Sequence, residues 1–164
     1  AGVLAGVIIG IVLSIGWLIY VSAEPSMPEL GRKPNTQVFR SVEEYPDSET
    51  YPGLLVLRFD SGLFFASADA LEDRIRELAL QADPPLQTVV IDFEGINFID
   101  SQGSAKVAEL VELANNYDIK LRLTRLKAQV MVVLRRDGVI DKLGEDHIYG
   151  NVYEAAADQL PPPK

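Results

Sequence analysis

Asp92 and the run Asn97-Phe98-Ile99-Asp100-Ser101-Gln102-Gly103 hold the residue types in this chain best suited to chemistry. Two carboxylates and a hydroxyl fall where an apolar run gives way to a helical pattern. Val89, Val90, Ile91 and Phe93 are β-branched or aromatic, as a buried parallel strand requires. From Gln102 onward, Val107, Leu110, Val111 and Ala114 recur at helical spacing. Asp100 and Ser101 therefore stand at a helix start, where the first backbone N–H groups lack partners and either side chain can cap them. The same N-terminus favours an added phosphate or a bound anion. Ser101, with Asp100 beside it, is thus a candidate phosphorylation or regulatory site, although the like charge of Asp100 opposes a phosphate. Asp92, Asp100, Ser101, Gln102 and Gly103 are the candidate contacts for an anion or nucleotide.

Other chemistries fare worse. No Gly-x-x-x-x-Gly-Lys-Ser/Thr stretch exists, so there is no P-loop, and any nucleotide would bind weakly. His147, within Gly144-Glu145-Asp146-His147, is the single histidine, and with no cysteine it assembles neither a hydrolase triad nor a His-rich metal site. It reads as a turn or strand-edge residue. Asp60, Asp92 and Asp100 follow strands, at the edge where α/β sheets place ligands, which invites a receiver domain with a Mg²⁺ site. That reading needs an acidic neighbour for Asp60 and a lysine ending a late strand, where Thr124-Arg125 stands instead. No metal, cofactor or catalytic residue is expected.

The elements that position these residues follow a charge-free opening. The first charged side chain is Glu24, and the twenty residues from Gly2 to Val21 carry no charge, enough for a helix to cross a ~30 Å hydrocarbon core. Ser22-Ala23-Glu24 imitates a signal-peptide cleavage site, but no basic residue precedes the apolar run. Residues 1–23 therefore read as a transmembrane helix, with Trp17 and Tyr20 near a headgroup boundary. Gly2, Gly6, Gly10 and Ser14 fall four apart and line one face with small residues. Arg32, Lys33 and Arg40 lean the following chain, residues 24–164, toward the cytoplasm. Ala1 in place of a methionine suggests a piece of a longer protein.

Residues 24–36, with Pro25, Pro28, Gly31 and Pro34, read as a linker. Residues 37–160 read as one domain, and Pro161-Pro162-Pro163-Lys164 as a disordered tail. Gln37-Val38-Phe39-Arg40 is a candidate edge strand, residues 54–59 a strong strand, and Leu63-Phe64-Phe65 a second short one that suggests a hairpin. Ser67 caps a helix with Leu71, Ile75, Leu78 and Ala82 as its buried stripe, closed by Pro84-Pro85. Residues 120–124 alternate as a strand, residues 126–135 read as a helix stopped by Gly138, and a short helix follows around 152–159. Strands alternating with helices imply a largely parallel sheet. The net charge of -9 offers no basic patch for nucleic acid.

An aspartate-ending strand followed by Ile99-Asp100-Ser101-Gln102-Gly103 opening a helix resembles the STAS domain, found in bacterial anti-sigma factor antagonists and at the cytosolic C-terminus of SulP-type anion transporters. Pro52-Gly53-Leu54-Leu55-Val56-Leu57-Arg58-Phe59-Asp60, with Leu63-Phe64-Phe65-Ala66-Ser67-Ala68 after it, is similar to the SulP-type opening, and an attached membrane helix fits the same branch. The resemblance implies an α/β fold with a mixed, largely parallel β-sheet and helices mainly on one face. It implies a non-catalytic regulatory and interaction domain of an anion transporter, sulfate being the usual substrate, multi-pass in the cell membrane. The expected partners are that transporter's transmembrane domain, a second STAS domain in a homodimer, and a weakly bound nucleotide. The alternative is an antagonist-like phospho-switch that binds a kinase, with Ser101 matching the phosphorylated serine.

Overall fold

The computed structural model describes residues 2–23 and 25–161. Helix α1 spans Gly2–Ala23 without a charged residue and is apolar all round. A helix of that kind is either a buried core helix or a membrane span. Residues Gly2–Val21 are exposed along their whole length and are long and apolar enough to cross a bilayer. Its small-residue ladder is open: a methyl group at Gly2, Gly6 or Gly10 would meet nothing within 4 Å.

Three central strands follow from the apolar runs: β3 (Leu54–Arg58), β4 (Thr88–Asp92) and β5 (Lys120–Thr124), with the two-residue β6 (Ile148–Tyr149) at the edge. They form a four-stranded parallel sheet in the order β3-β4-β5-β6. The register aligns Arg58 with Asp92 and Asp92 with Thr124, so the carboxyl ends finish level. Side chains alternate between faces. Leu55, Leu57, Val89, Ile91, Leu121 and Leu123 join one large core under helices α2 (Ala68–Gln81), α3 (Ser101–Asn116), α4 (Ala128–Arg136) and α5 (Val139–Leu143). Leu54, Val56 and Val90 point the other way, onto Leu30, Val152, Ala155 and Ala156, the last three from helix α6 (Val152–Ala156). The architecture is mixed α/β with helices mainly on one face, as expected. Both faces being covered is why β3 and β4 read as apolar runs, while β5 alternates and turns Arg122 toward α6.

Several local expectations give way. The 24–36 stretch is not plain linker: Leu30–Arg32 forms β1, paired antiparallel with β2 (Phe39–Ser41). Residues just before β1 run antiparallel along β3, with Arg58 N–H donating to Pro28 C=O (3.1 Å) and Asp60 N–H to Ser26 C=O (2.9 Å). Folded chain therefore begins upstream of residue 37. The hairpin expected at Leu63-Phe64-Phe65 is absent, since Leu63 makes a single parallel bridge to Ile99 and the chain then turns into α2. Ser67 does not cap α2: its hydroxyl donates to Gly62 C=O (2.7 Å) and accepts from Phe64 N–H (3.2 Å). The expected tail beyond Pro161 lies outside the described residues.

Candidate functional site

The level carboxyl ends of β3, β4 and β5 build one edge from three loops. Asp92 closes β4 and is fully buried. Its carboxylate accepts from Arg125 Nε (2.9 Å), from a second Arg125 nitrogen, and from Glu94 N–H (3.1 Å). Arg125, the first residue after β5, adopts φ 54°, the left-handed turn that β-branched residues avoid, and also binds Glu94 (2.6 Å). Burial works against the charge of Arg125, but the Asp92 hydrogen bond and the Asp92 and Glu94 charges prevail and raise its pKa. Lys127 donates to Glu94 C=O (2.6 Å) and to the Asn97 side chain, and Gln129 donates to Asn97 C=O (3.2 Å). The β5–α4 connection thus clamps the β4–α3 loop.

Asp100, not Ser101, caps α3. Its backbone is extended (φ -100°, ψ -178°), and its Oδ1 accepts from Gly103 N–H at 2.8 Å. Its Oδ2 accepts from Phe65 N–H (3.2 Å), so one carboxylate ties the β3–α2 loop to the start of α3. Ser101 is already helical and exposed, as is Gln102. Gly103 is a packing glycine, because a Cβ there would stand 2.2 Å from the Leu63 carbonyl oxygen. Gly95 is tight in the same way, with Phe59 O only 2.4 Å from its ideal Cβ. These two glycines let the three loops close on one another.

Of the sequence-predicted residues, Asp100, Ser101, Gln102 and Gly103 share this edge, whereas Asp92 lies beneath it, enclosed by Arg125. Asp60 is paired with Arg58 (2.9 Å). His147 ends the turn Glu145–His147 with Nδ1 3.0 Å from Leu121 C=O, far along β5 from its carboxyl end. No group of three or more His, Asp or Glu suited to a metal occurs among the described residues. Sequence reasoning passed over Phe65 and Phe98, which are 71% and 58% exposed on this edge. Leu63 N–H donates to Phe98 C=O (2.9 Å), so both aromatics sit on loops bonded to each other. The signal available was an aromatic inside an Asn- and Gly-bearing loop, where no core position is expected.

A family model for the STAS domain covers residues 45–155, and the chain belongs to that family. The probable sulfate transporter 4.2 of Arabidopsis thaliana is 29% identical over 163 residues, covering 94% of this chain and 24% of that protein. The chain thus spans about a quarter of the length of the curated relatives it matches. Among solved structures, the murine Slc26a9 anion transporter in its inward-facing state superposes with a TM-score of 0.81 at 20% identity, over 94% of this chain and 25% of that one. An anti-sigma factor antagonist from Mycobacterium paratuberculosis superposes with a TM-score of 0.55 at 19% identity, over 68% of this chain and 89% of that one. These superpositions speak to the fold.

Proposed function

We propose that this chain is the stretch of a SulP-like anion transporter in which the last membrane helix passes into a cytosolic STAS domain, and that the domain is regulatory and non-catalytic. The observation that carries this reading is the extent of the likeness. The sulfate transporter relative matches 94% of the chain, well beyond residues 45–155, so the similarity runs on into the spanning helix. An anchor and domain matched together point to a working unit rather than a chance fusion. The net charge of -9 repels an anionic substrate, so the domain does not gather it. Gly103 N–H is already held by Asp100, which leaves less for a free anion or nucleotide to grip.

Radiolabelled sulfate uptake tests the proposal. One membrane helix offers no pathway, so liposomes holding only this chain should match empty liposomes, while the complete transporter should show saturable uptake that drops when residues 25–164 are removed. Saturable uptake by this chain alone would overturn it.

Within the transporter reading, phosphate control at Ser101 has one supporting observation, the exposed hydroxyl that the helix does not need as its cap. Uptake by the complete transporter, normalised to surface protein, should differ between Ser101→Ala and Ser101→Glu under that reading. Equal uptake in both variants would sink it.

A further inference from the structure

Building on the transporter reading, we infer that the carboxyl edge of the sheet, with Phe65 and Phe98 as its apolar contacts, is the face that docks on the cytosolic side of the transporter's own membrane domain. The tether decides which edge can reach it. Helix α1 runs to Ala23, and by Ser26 the backbone is already hydrogen-bonded to Asp60, at the carboxyl end of β3. Three residues span about 10 Å at most. The end of the membrane helix is therefore held within that reach of this edge, whatever the orientation of the domain, and the opposite edge lies the full length of the strands away.

What the edge displays then matters. A single exposed aromatic is ordinary, but Phe65 and Phe98 stand on two loops joined through Leu63 and Asp100, on the side that faces the membrane. Its charges favour protein over lipid. Anionic leaflets attract free Lys and Arg, whereas here Arg58 is bound to Asp60, Arg125 to Asp92 and Glu94, and Lys127 to Glu94 C=O and Asn97. Asp60, Asp92, Glu94 and Asp100 outnumber these three cations, so the edge holds no excess positive charge, and such a rim around two phenylalanines suits the apolar and polar ends of neighbouring membrane helices.

The chain has no cysteine, so one introduced thiol reports one position. Gln102→Cys places it on the edge while keeping both phenylalanines. Leu80→Cys, at a position 83% exposed on α2, serves as the reference. Labelling by a water-soluble maleimide is compared between this chain alone in phosphatidylcholine vesicles and the complete transporter, freed of other cysteines. Because labelling follows the open fraction, a contact occupied nine-tenths of the time slows Gln102→Cys about tenfold in the complete transporter. Leu80→Cys should react equally in both, and adding Phe65→Ser with Phe98→Ser should restore the rate at Gln102→Cys. Gln102→Cys reacting as fast as Leu80→Cys in both settings overturns the docking face, and Gln102→Cys reacting slowly in both settings overturns the protein partner in favour of lipid. If sulfate uptake still depends on residues 25–164 while Gln102→Cys reacts freely, the docking face falls and the transporter reading stands.

Discussion

Arg122 and Arg125 stand three residues apart on β5 and just beyond it, each binding one aspartate, yet their burial is reversed. On the α6 side of the sheet Arg122 is the hidden partner, its side chain 9% exposed, while Asp158 is 45% exposed. Arg122 donates to both Asp158 oxygens (2.5 and 2.7 Å) and to Ala155 C=O (2.5 Å), below the Tyr149 ring. At the carboxyl edge the acid is hidden, with Asp92 at 0% and Arg125 at 32%. A charge removed from water must keep its partner, and the penalty for breaking a pair follows the member left behind. The pair in the middle of β5 and the pair at its carboxyl end therefore differ in which substitution hurts.

Arg125→Ala leaves Asp92 buried and unpaired and should carry the largest effect, a loss of about 3–5 kcal/mol in urea unfolding of a chain beginning at Pro25. A deficit below about 1 kcal/mol at neutral pH, within reach of an ordinary hydrogen bond, would place Asp92 in contact with water.

Asp158→Asn in the other pair strands a guanidinium that keeps Ala155 C=O and nearby solvent, so about 2 kcal/mol is expected, in the range for a hydrogen bond to a charged group. The Arg122 hydrogen bond, against some burial, pulls the Asp158 pKa down to about 2. A depressed carboxyl contributes fully above its unfolded pKa and loses that contribution as pH falls through the folded one. Wild type should therefore lose stability between about pH 4 and pH 2 more steeply than the variant. Parallel curves would mean that the pair adds nothing.

The same contrast appears at smaller scale between neighbours. Asp100→Ala should cost about 1 kcal/mol by loss of the cap, and it frees the loop at Phe65. Ser101→Ala should stay within about 0.5 kcal/mol, as for an exposed site without such a role. Thermal unfolding of both variants separates them. Equal losses would return the cap to Ser101.

The strands at 54–58 and 88–92 were legible from their apolar runs, that at 120–124 from its alternation, and the start of α3 from its 3.6-residue stripe. The failures have physical reasons. Leu30–Arg32 and Ile148–Tyr149 are too short to carry a pattern and depend on partners distant in sequence. Leu63-Phe64-Phe65 has strand composition, but Asp100 and Ile99 hold it in a turn, with Leu63 buried and Phe65 outside. Asp100 and Ser101 are both capping types, so only the extended backbone at Asp100 decides between them. Arg125 was visible as a base after β5, but its partner was not, because Asp92 and Arg125 meet only through the β4–β5 register.

The two residues between Ala23 and Ser26 also set how strong a contact at that edge must be. A short tether holds its two ends at an effective concentration in the millimolar range. A face with a dissociation constant of about 0.1 mM, about 5.5 kcal/mol, is then occupied about nine-tenths of the time within one molecule. Such a face needs little area and releases quickly, and a single added charge at Ser101 is enough to shift it. Separated into two solutions at micromolar concentration, the same surfaces would scarcely meet, so a pull-down between the isolated domain and the membrane part would miss a contact that the intact chain makes.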